Sequence, residues 1–302
     1  MYEPYLPISA SNGNPVGANG HQSHYKWSWL RARIDTKDPE AIEYSKFSIF
    51  KESLALTNRR PSLWDYNIAV DPPTVEYEEV MHTDEGVAKW TSLIRQYGFS
   101  YISNTPPTPS ATQSLLERIA FIRLTHYGGF WDFTSDLSLK DTAYTTLPLP
   151  AHTDTTYFTE PCRLQLFHLL SHTSGTESGI GGSSLLVDGF HAASILKCES
   201  PEAYQILSTY PVPAHASGNE GISIQPAWAF PVLNHNPGDG RVADVGQLMQ
   251  VRWNNDDRGA VGGMGLEGIN RWYEAARKWV GILRRPSSEY WEQLKPGKPL
   301  SE

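Results

Sequence analysis

Apolar positions recur at helical spacing in several separate stretches. Val87, Trp90, Ile94 and Tyr97 share one face of a 3.6-residue period, and Gly98 follows where such a helix would stop. His82-Thr83-Asp84 stands immediately before it, where Thr83 or Asp84 is suited to accept bonds from the free amides of the first turn. Ser110-x-x-Gln113 has the form of a capping box, opening a second helix with Leu115, Leu116, Ile119 and Ile122 on its buried face. Ser200-Pro201-Glu202 combines an N-cap with a first-turn proline, and Arg271 to Leu283 returns to helical spacing before Pro286. Between these segments lie short strands: Phe99 to Ser103, Ser183 to Val187 after the turn Gly179-Ile-Gly-Gly182, and the alternating Met249 to Trp253. His235, inside Asn-His-Asn-Pro-Gly, reads as part of a turn. Strands are expected to predominate, giving a mainly β domain with flanking helices.

Composition narrows the class. The 302 residues suit one large β domain with additions, and hydrophobic residues at 39% are enough for its core. With 10 Trp and 15 Tyr, that core has many large aromatic anchors. A net charge of −8 argues against a basic nucleic-acid surface, and no apolar run reaches membrane-spanning length. Cys162 and Cys198 are too few for a disulfide framework, as a reducing compartment allows. Met1 opens no basic and apolar leader, so an intracellular protein is expected. The cytoplasm is the first choice of compartment, with mitochondria left open should the natural start lie upstream. Residues 1 to 20, rich in Pro, Gly, Ser and Asn, read as a flexible leader.

The candidate chemistry centres on Ala-His152-Thr-Asp154-Thr-Thr-Tyr157-Phe. On an extended strand, residues two apart point to the same side, so the His152 imidazole and Asp154 carboxylate would converge on one point. They would form two ligands of a 2-His-1-carboxylate site, which leaves positions open on Fe(II) for cosubstrate and oxygen. A bare His-x-Asp also arises by chance, and the second one, His82-Thr-Asp84, is assigned to capping and to no metal. His168 and His172 follow closely on or beside a strand and read as satisfied structural histidines. The glycines at 179–182 lack the lysine of a phosphate loop. A hydrolytic metal site would need a second ligand cluster, and none is evident.

Several phrases in order give the pair a context. Thr125-His-Tyr127-Gly-Gly-Phe-Trp131-Asp-Phe-Thr-Ser-Asp136 comes first, followed by Asp141-Thr-Ala-Tyr144-Thr-Thr and the His-Thr-Asp segment. Glu160-Pro-Cys-Arg-Leu-Gln165-Leu-Phe-His168, Gly182-Ser-Ser-Leu-Leu-Val-Asp188-Gly-Phe190 and Arg252-Trp-Asn254-Asn255-Asp-Asp257-Arg258 complete the series. This series resembles the trimethyllysine and γ-butyrobetaine hydroxylases, which are 2-oxoglutarate and Fe(II)-dependent dioxygenases, and it is denser for the trimethyllysine side.

The resemblance implies a double-stranded β-helix, the two-sheet jelly-roll of 2-oxoglutarate dioxygenases, with strands and loops over residues 31–80. Residues 31–302 would form a dioxygenase domain of the TauD type lacking its last strands. Residues 1–30 would be the leader and the remnant of an N-terminal zinc module. His21 matches a zinc-ligand phrase of that module, but no cysteine precedes it to complete a site. The implied reaction is hydroxylation of Nε-trimethyllysine at C3, the first step of carnitine biosynthesis. It would use Fe(II), 2-oxoglutarate as cosubstrate and ascorbate as reductant.

A quaternary ammonium cannot donate a hydrogen bond, so its receptor should be an aromatic cage. The resemblance assigns that cage to Tyr127, Trp131 and Tyr144. Without it, three core rings would be the plainer reading. Asn254, Asn255 and Asp257 match the phrase supplying further substrate contacts, beside Arg258, though an exposed charged turn fits the same residues. The implied partner is a small molecule; the assembly state is left open, with a homodimer as one option. The family's distal histidine and 2-oxoglutarate arginine would follow Leu300, and the chain stops at Glu302. A catalytically inert binding or regulatory form is therefore one alternative, and a γ-butyrobetaine hydroxylase the other.

Overall fold

The computed structural model describes residues 61–134, 147–172, 181–217, 221–237 and 245–302. The expected leader and zinc-module remnant with His21, residues 31–60, and Tyr144 of the expected cage lie outside them. So does the first half of the Gly179–Gly182 turn.

A single 3-10 turn, Tyr66–Val70, precedes strand β1 (Thr74–Glu76), which runs directly into helix α1 (Tyr77–His82). This helix stands where strands and loops were expected. Helix α2 (Asp84–Tyr97) follows after one residue, and Thr83 is its cap, with the hydroxyl accepting from the Gly86 N–H at 2.9 Å. The capping assignment for His82-Thr-Asp84 therefore holds. Trp90 and Ile94 are buried, and the helix ends at Gly98, whose φ of 83° is a left-handed position open to glycine without a steric penalty.

Strand β2 (Ser100–Ser103) pairs in parallel with β1, and helix α3 (Pro109–Glu117) comes next. Its cap is Thr108 rather than Ser110: the Thr108 hydroxyl accepts from Ala111 N–H at 3.2 Å, and Pro109 fills the first helical position. Proline is suited there because its missing N–H would have had no partner anyway. Because α3 ends at Glu117, Ile119 and Ile122 fall beyond it, and Leu115, fully buried, anchors the helix.

Strand β3 (Leu166–Phe167) lies at the edge of the first sheet. In chain order β4 (Ser183–Leu186), α4 (Gly189–Glu199), α5 (Pro201–Thr209), β5 (Leu233–Pro237), β6 (Val245–Val251), α6 (Gly265–Leu283), β7 (Tyr290–Gln293) and β8 (Leu300–Ser301) follow. The first sheet has the order β1-β2-β8-β3, and β4–β7 and β5–β6 form two antiparallel pairs. Helix α6 begins six residues before Arg271, and β6 ends at Val251 rather than Trp253. His235 belongs to β5 and not to a turn. Its ring bonds the Tyr204 hydroxyl at 2.8 Å, and the register with β6 is irregular on both sides of it, which accommodates the turn-like Asn and Pro.

Along α6, Trp272, Ala275, Ala276, Trp279, Ile282 and Leu283 recur at helical spacing and pack with Leu196 of α4, Leu207 of α5 and Leu233 of β5. A second cluster joins α1, α2 and α3 to β1 and β2 through Val80, Trp90 and Leu115. Among the described residues the six helices contain more positions than the eight strands, so the expected predominance of strands is not found there. The reason is local: strands are short, and the described residues of the aromatic-rich stretch after Tyr127 are mainly irregular chain and bends, with one turn at 154–157. No helix among the described residues is long and apolar enough to cross a membrane.

The third cluster, Phe99, Tyr101, Leu186, Tyr290 and Leu300, carries a pH dependence. Burial pushes the Tyr290 phenol up to about 12, and Tyr101 moves the same way for the same reason. A folded-state value above the unfolded one, near 10, favours the neutral ring in the fold. Its contribution is full below pH 10 and is lost as the pH rises through about 12. Urea unfolding should show stability falling over that window, by order of 2 kcal/mol from Tyr290. Tyr290→Phe should flatten the fall, and an unchanged slope would refute the assignment.

Candidate active site

Neither candidate donor lies on a strand: His152 is in irregular chain, and Asp154 opens the turn 154–157. The expected convergence nevertheless occurs: His152 Nε2 is 3.1 Å from Asp154 Oδ1, while His152 Nδ1 is 2.8 Å from the Pro150 carbonyl. With Nδ1 bonded to a carbonyl, Nε2 is the nitrogen presented to the carboxylate. The turn is fastened at a distance in sequence. Thr153 N–H donates to the Trp253 carbonyl at 2.7 Å, and Trp253 N–H donates to the Thr153 hydroxyl at 2.8 Å.

The hydrogen bond to Asp154 raises the His152 imidazole to about 9, against the opposing effect of burial. Burial acts to raise the Asp154 carboxyl, but His152, through its hydrogen bond and its charge, and Gln165 outweigh it and hold that group below its ordinary value. Gln165 and Glu302 pair through their backbones, and burial, reinforced by Asp154, pushes the Glu302 carboxyl up. The metal-free pair is therefore an imidazolium and a carboxylate sharing a proton. A divalent cation suits the same two donors by replacing that proton. Both side chains remain accessible, at 27% and 43% exposure. Among the described residues no group of three or more His, Cys, Asp or Glu side chains converges as a metal would require, so these residues supply two donors.

His168 is structural, as expected. Its Nε2 accepts from Gly297 N–H at 3.1 Å, so in the neutral ring Nδ1 carries the proton and donates to the Thr112 hydroxyl at 2.7 Å. Burial pushes its pKa down, which favours that neutral ring. His172 is exposed and bonds the Gly181 carbonyl at 2.9 Å.

Two residues of the expected cage come together. The Tyr127 and Trp131 rings stack with centroids 6.0 Å apart and planes 21° from parallel, and Trp131 is 43% exposed. Tyr157, nearly buried, donates from its hydroxyl to that of Tyr127 at 3.4 Å, and the His126 ring lies 4.0 Å from the Tyr127 ring. Tyr157 stood in the quoted motif without a role. Strand alternation places it on the face opposite Asp154, and the turn after Asp154 removes that opposition.

The Arg252–Arg258 phrase meets this turn from the other side. Asp257 Oδ2 accepts from the Thr156 hydroxyl and from Asn254 Nδ2, both at 3.0 Å, and burial raises the Asp257 carboxyl. Asn255 is exposed and accepts from Arg258 Nε at 3.3 Å. A small, half-open cavity of about 30 Å³ lies here, lined by Thr156, Phe230, Arg252, Asn254, Arg258 and Trp272 among others. Asn254 thus faces a space, whereas Asn255 and Asp257 are outside its lining. Arg252 was also missed, although an arginine ending an apolar strand is a signal that its charge has buried partners.

The family model described as "Taurine catabolism dioxygenase TauD, TfdA family" matches residues 56–299. The chain is similar to trimethyllysine dioxygenase of Neurospora crassa, with 47% identity over 94% of this chain and 62% of that protein. It is 40% identical to mitochondrial trimethyllysine dioxygenase of Homo sapiens, over 93% of this chain and 62% of that one. Against gamma-butyrobetaine dioxygenase of Homo sapiens the identity is 27%, over 93% and 67% respectively. The chain spans about six-tenths of the length of the two trimethyllysine relatives. By the extent of the family match and by these identities, the chain belongs to the TauD, TfdA dioxygenase family and, within it, to the trimethyllysine dioxygenase group.

Proposed function

We propose that this chain carries the catalytic domain of a trimethyllysine dioxygenase, hydroxylating Nε-trimethyllysine at C3 with 2-oxoglutarate and O₂, the first step of carnitine biosynthesis. The supporting observation is that one turn bears both Asp154, paired with His152, and Tyr157, which joins the Tyr127–Trp131 stack. In this reading residues 31–302 form a dioxygenase domain of double-stranded β-helix type, and residues 1–30 precede it as leader and zinc-module remnant.

His152 Nε2 and Asp154 Oδ1 would hold Fe(II), with ascorbate keeping the metal reduced. Bound there with 2-oxoglutarate, the iron would supply the oxidising power that replaces a C–H bond by C–OH, releasing succinate and CO₂. The protein's own part is placement. Tyr127 and Trp131 offer π faces to the trimethylammonium, which has no N–H to bond. Tyr144 completes the proposed cage. Asn254, Asn255 and Asp257 would recognise the amino-acid end, with Asn254 opening onto the cavity and Asp257 holding Thr156 and Asn254 together. The 27% identity to the butyrobetaine enzyme makes that substrate the weaker reading.

The test is anaerobic titration with Fe(II) and 2-oxoglutarate, followed by admission of air and assay of succinate with either substrate. Charge-transfer absorption together with trimethyllysine-driven succinate is expected. Succinate driven by γ-butyrobetaine alone would reassign the substrate, and neither signal from folded protein would make this an inert binding form. Trp131→Ala should weaken trimethyllysine binding by roughly 2- to 30-fold, the equivalent of about 0.5–2 kcal/mol for a cation–π contact. The 2-oxoglutarate affinity should stay constant, and equal losses for both ligands would remove the cage assignment.

A further inference from the structure

We infer that Arg252 is a positioning residue, holding the turn Thr155–Thr159 in the one shape that aims Asp154 at the metal and Tyr157 at the cage. This rests on the function proposed above and adds a residue through which its two halves are set together.

Arg252 is only 7% exposed. Nη2 donates to the carbonyls of Thr156 and Phe158, both at 2.7 Å, and Nη1 donates to that of Thr159 at 3.3 Å. The guanidinium lies 4.0 Å from the centroid of the Phe230 ring, and the backbone N–H of Arg252 is fixed to the Val232 carbonyl at 2.8 Å. The side chain is thus anchored at both ends and spends its donors on main-chain carbonyls.

The turn it grips needs an external hold. Thr155 has φ 52°, a left-handed conformation rare for a β-branched residue and retained only where surroundings over-determine it. Its hydroxyl accepts from Cys162 N–H at 2.9 Å, which fixes the side chain but leaves the carbonyls that follow to Arg252. Asp154 immediately precedes the strained residue and Tyr157 lies within the gripped span, so a rotation of this turn displaces both. A planar guanidinium can meet several carbonyls in fixed directions while stacking on a ring. An ammonium is a single point of charge and cannot do both.

The experiment compares the 302-residue chain with Arg252→Lys. Co(II) binding is followed by its visible spectrum, and trimethyllysine binding to the metal-free protein by calorimetry. Near-UV circular dichroism confirms the fold. Both affinities of folded Arg252→Lys should fall about tenfold or more. A role in stability alone would lower the melting temperature and leave both affinities at the wild-type value, which would overturn the inference, as would loss of only one. Phe230→Leu keeps the three carbonyl bonds and removes the ring beneath them. It should give the same paired loss at several-fold size and decides the matter if Arg252→Lys does not fold: two unchanged affinities overturn the inference. Wild-type protein binding neither probe would instead refute the function on which the inference stands.

Discussion

Asp154→Ala is expected to abolish Fe(II) loading and, with it, any 2-oxoglutarate turnover. The pair offers two donors, two residues apart in the chain and 3.1 Å from each other, and the alanine removes the anionic one. Losing a residue that only hydrogen-bonds to a metal ligand typically costs about 10- to 100-fold in metal affinity. Removing a direct donor should therefore lower Fe(II) affinity by more than about a hundredfold. His152→Ala should match it, because either change leaves a single ligand. Asp154→Asn separates charge from shape, since it keeps an oxygen near Nε2 but removes the negative charge.

In the metal-free chain that variant should also bring the His152 titration down from about 9 towards its ordinary range, as read from its imidazole proton resonance. The sign follows from the cause, because Asp154 stabilises the protonated ring and the amide does not. All three variants should stay folded, since the pair lies outside the three hydrophobic clusters. Undiminished Fe(II) binding by folded Asp154→Ala would place the metal elsewhere.

Trp279→Ala should cost about 3–5 kcal/mol of stability, the usual range for deleting a buried large aromatic. The side chain is fully buried on α6, in the cluster that also contains Leu196 of α4 and Leu207 of α5, so the cavity left behind would have walls on several sides. A domain's whole stability is about 5–15 kcal/mol, so much of the margin would be gone. Trp279→Phe should lose far less. The indole N–H is buried with no hydrogen-bond partner among the described residues, and phenylalanine keeps most of the apolar area while removing that unsatisfied donor. Urea unfolding measures both variants. A loss below about 1 kcal/mol for the alanine variant would be incompatible with a close-packed α4–α5–α6 layer.

Features that depend on near neighbours could be read along the chain. Thr83 as a cap, Gly98 as a stop, Trp90 on the buried face of α2 and the spacing of Trp272, Trp279 and Ile282 all follow from contacts within two turns of helix. Residue chemistry also made His152 and Asp154 the candidate donors, and the order of motifs pointed to the family that the comparisons support. Where two local signals competed, the wrong one could be chosen: Thr108-Pro109 starts α3, although Ser110-x-x-Gln113 has the better-known form.

The assembly of the site depends on contacts between distant parts of the chain. His152 and Asp154 converge from irregular chain and the turn it enters, whose path is fixed by Thr153 bonding Trp253, Thr156 bonding Asp257, and Arg252 gripping three carbonyls. Each of these partners is close to a hundred positions away along the chain. A period of 2 or 3.6 records only which face a residue would take in a regular element. It contains nothing about a turn whose conformation, including the positive φ of Thr155, is imposed by hydrogen bonds from a distant strand end. For the same reason Tyr157, three residues after Asp154, gained its place beside Tyr127 only when that turn was seen.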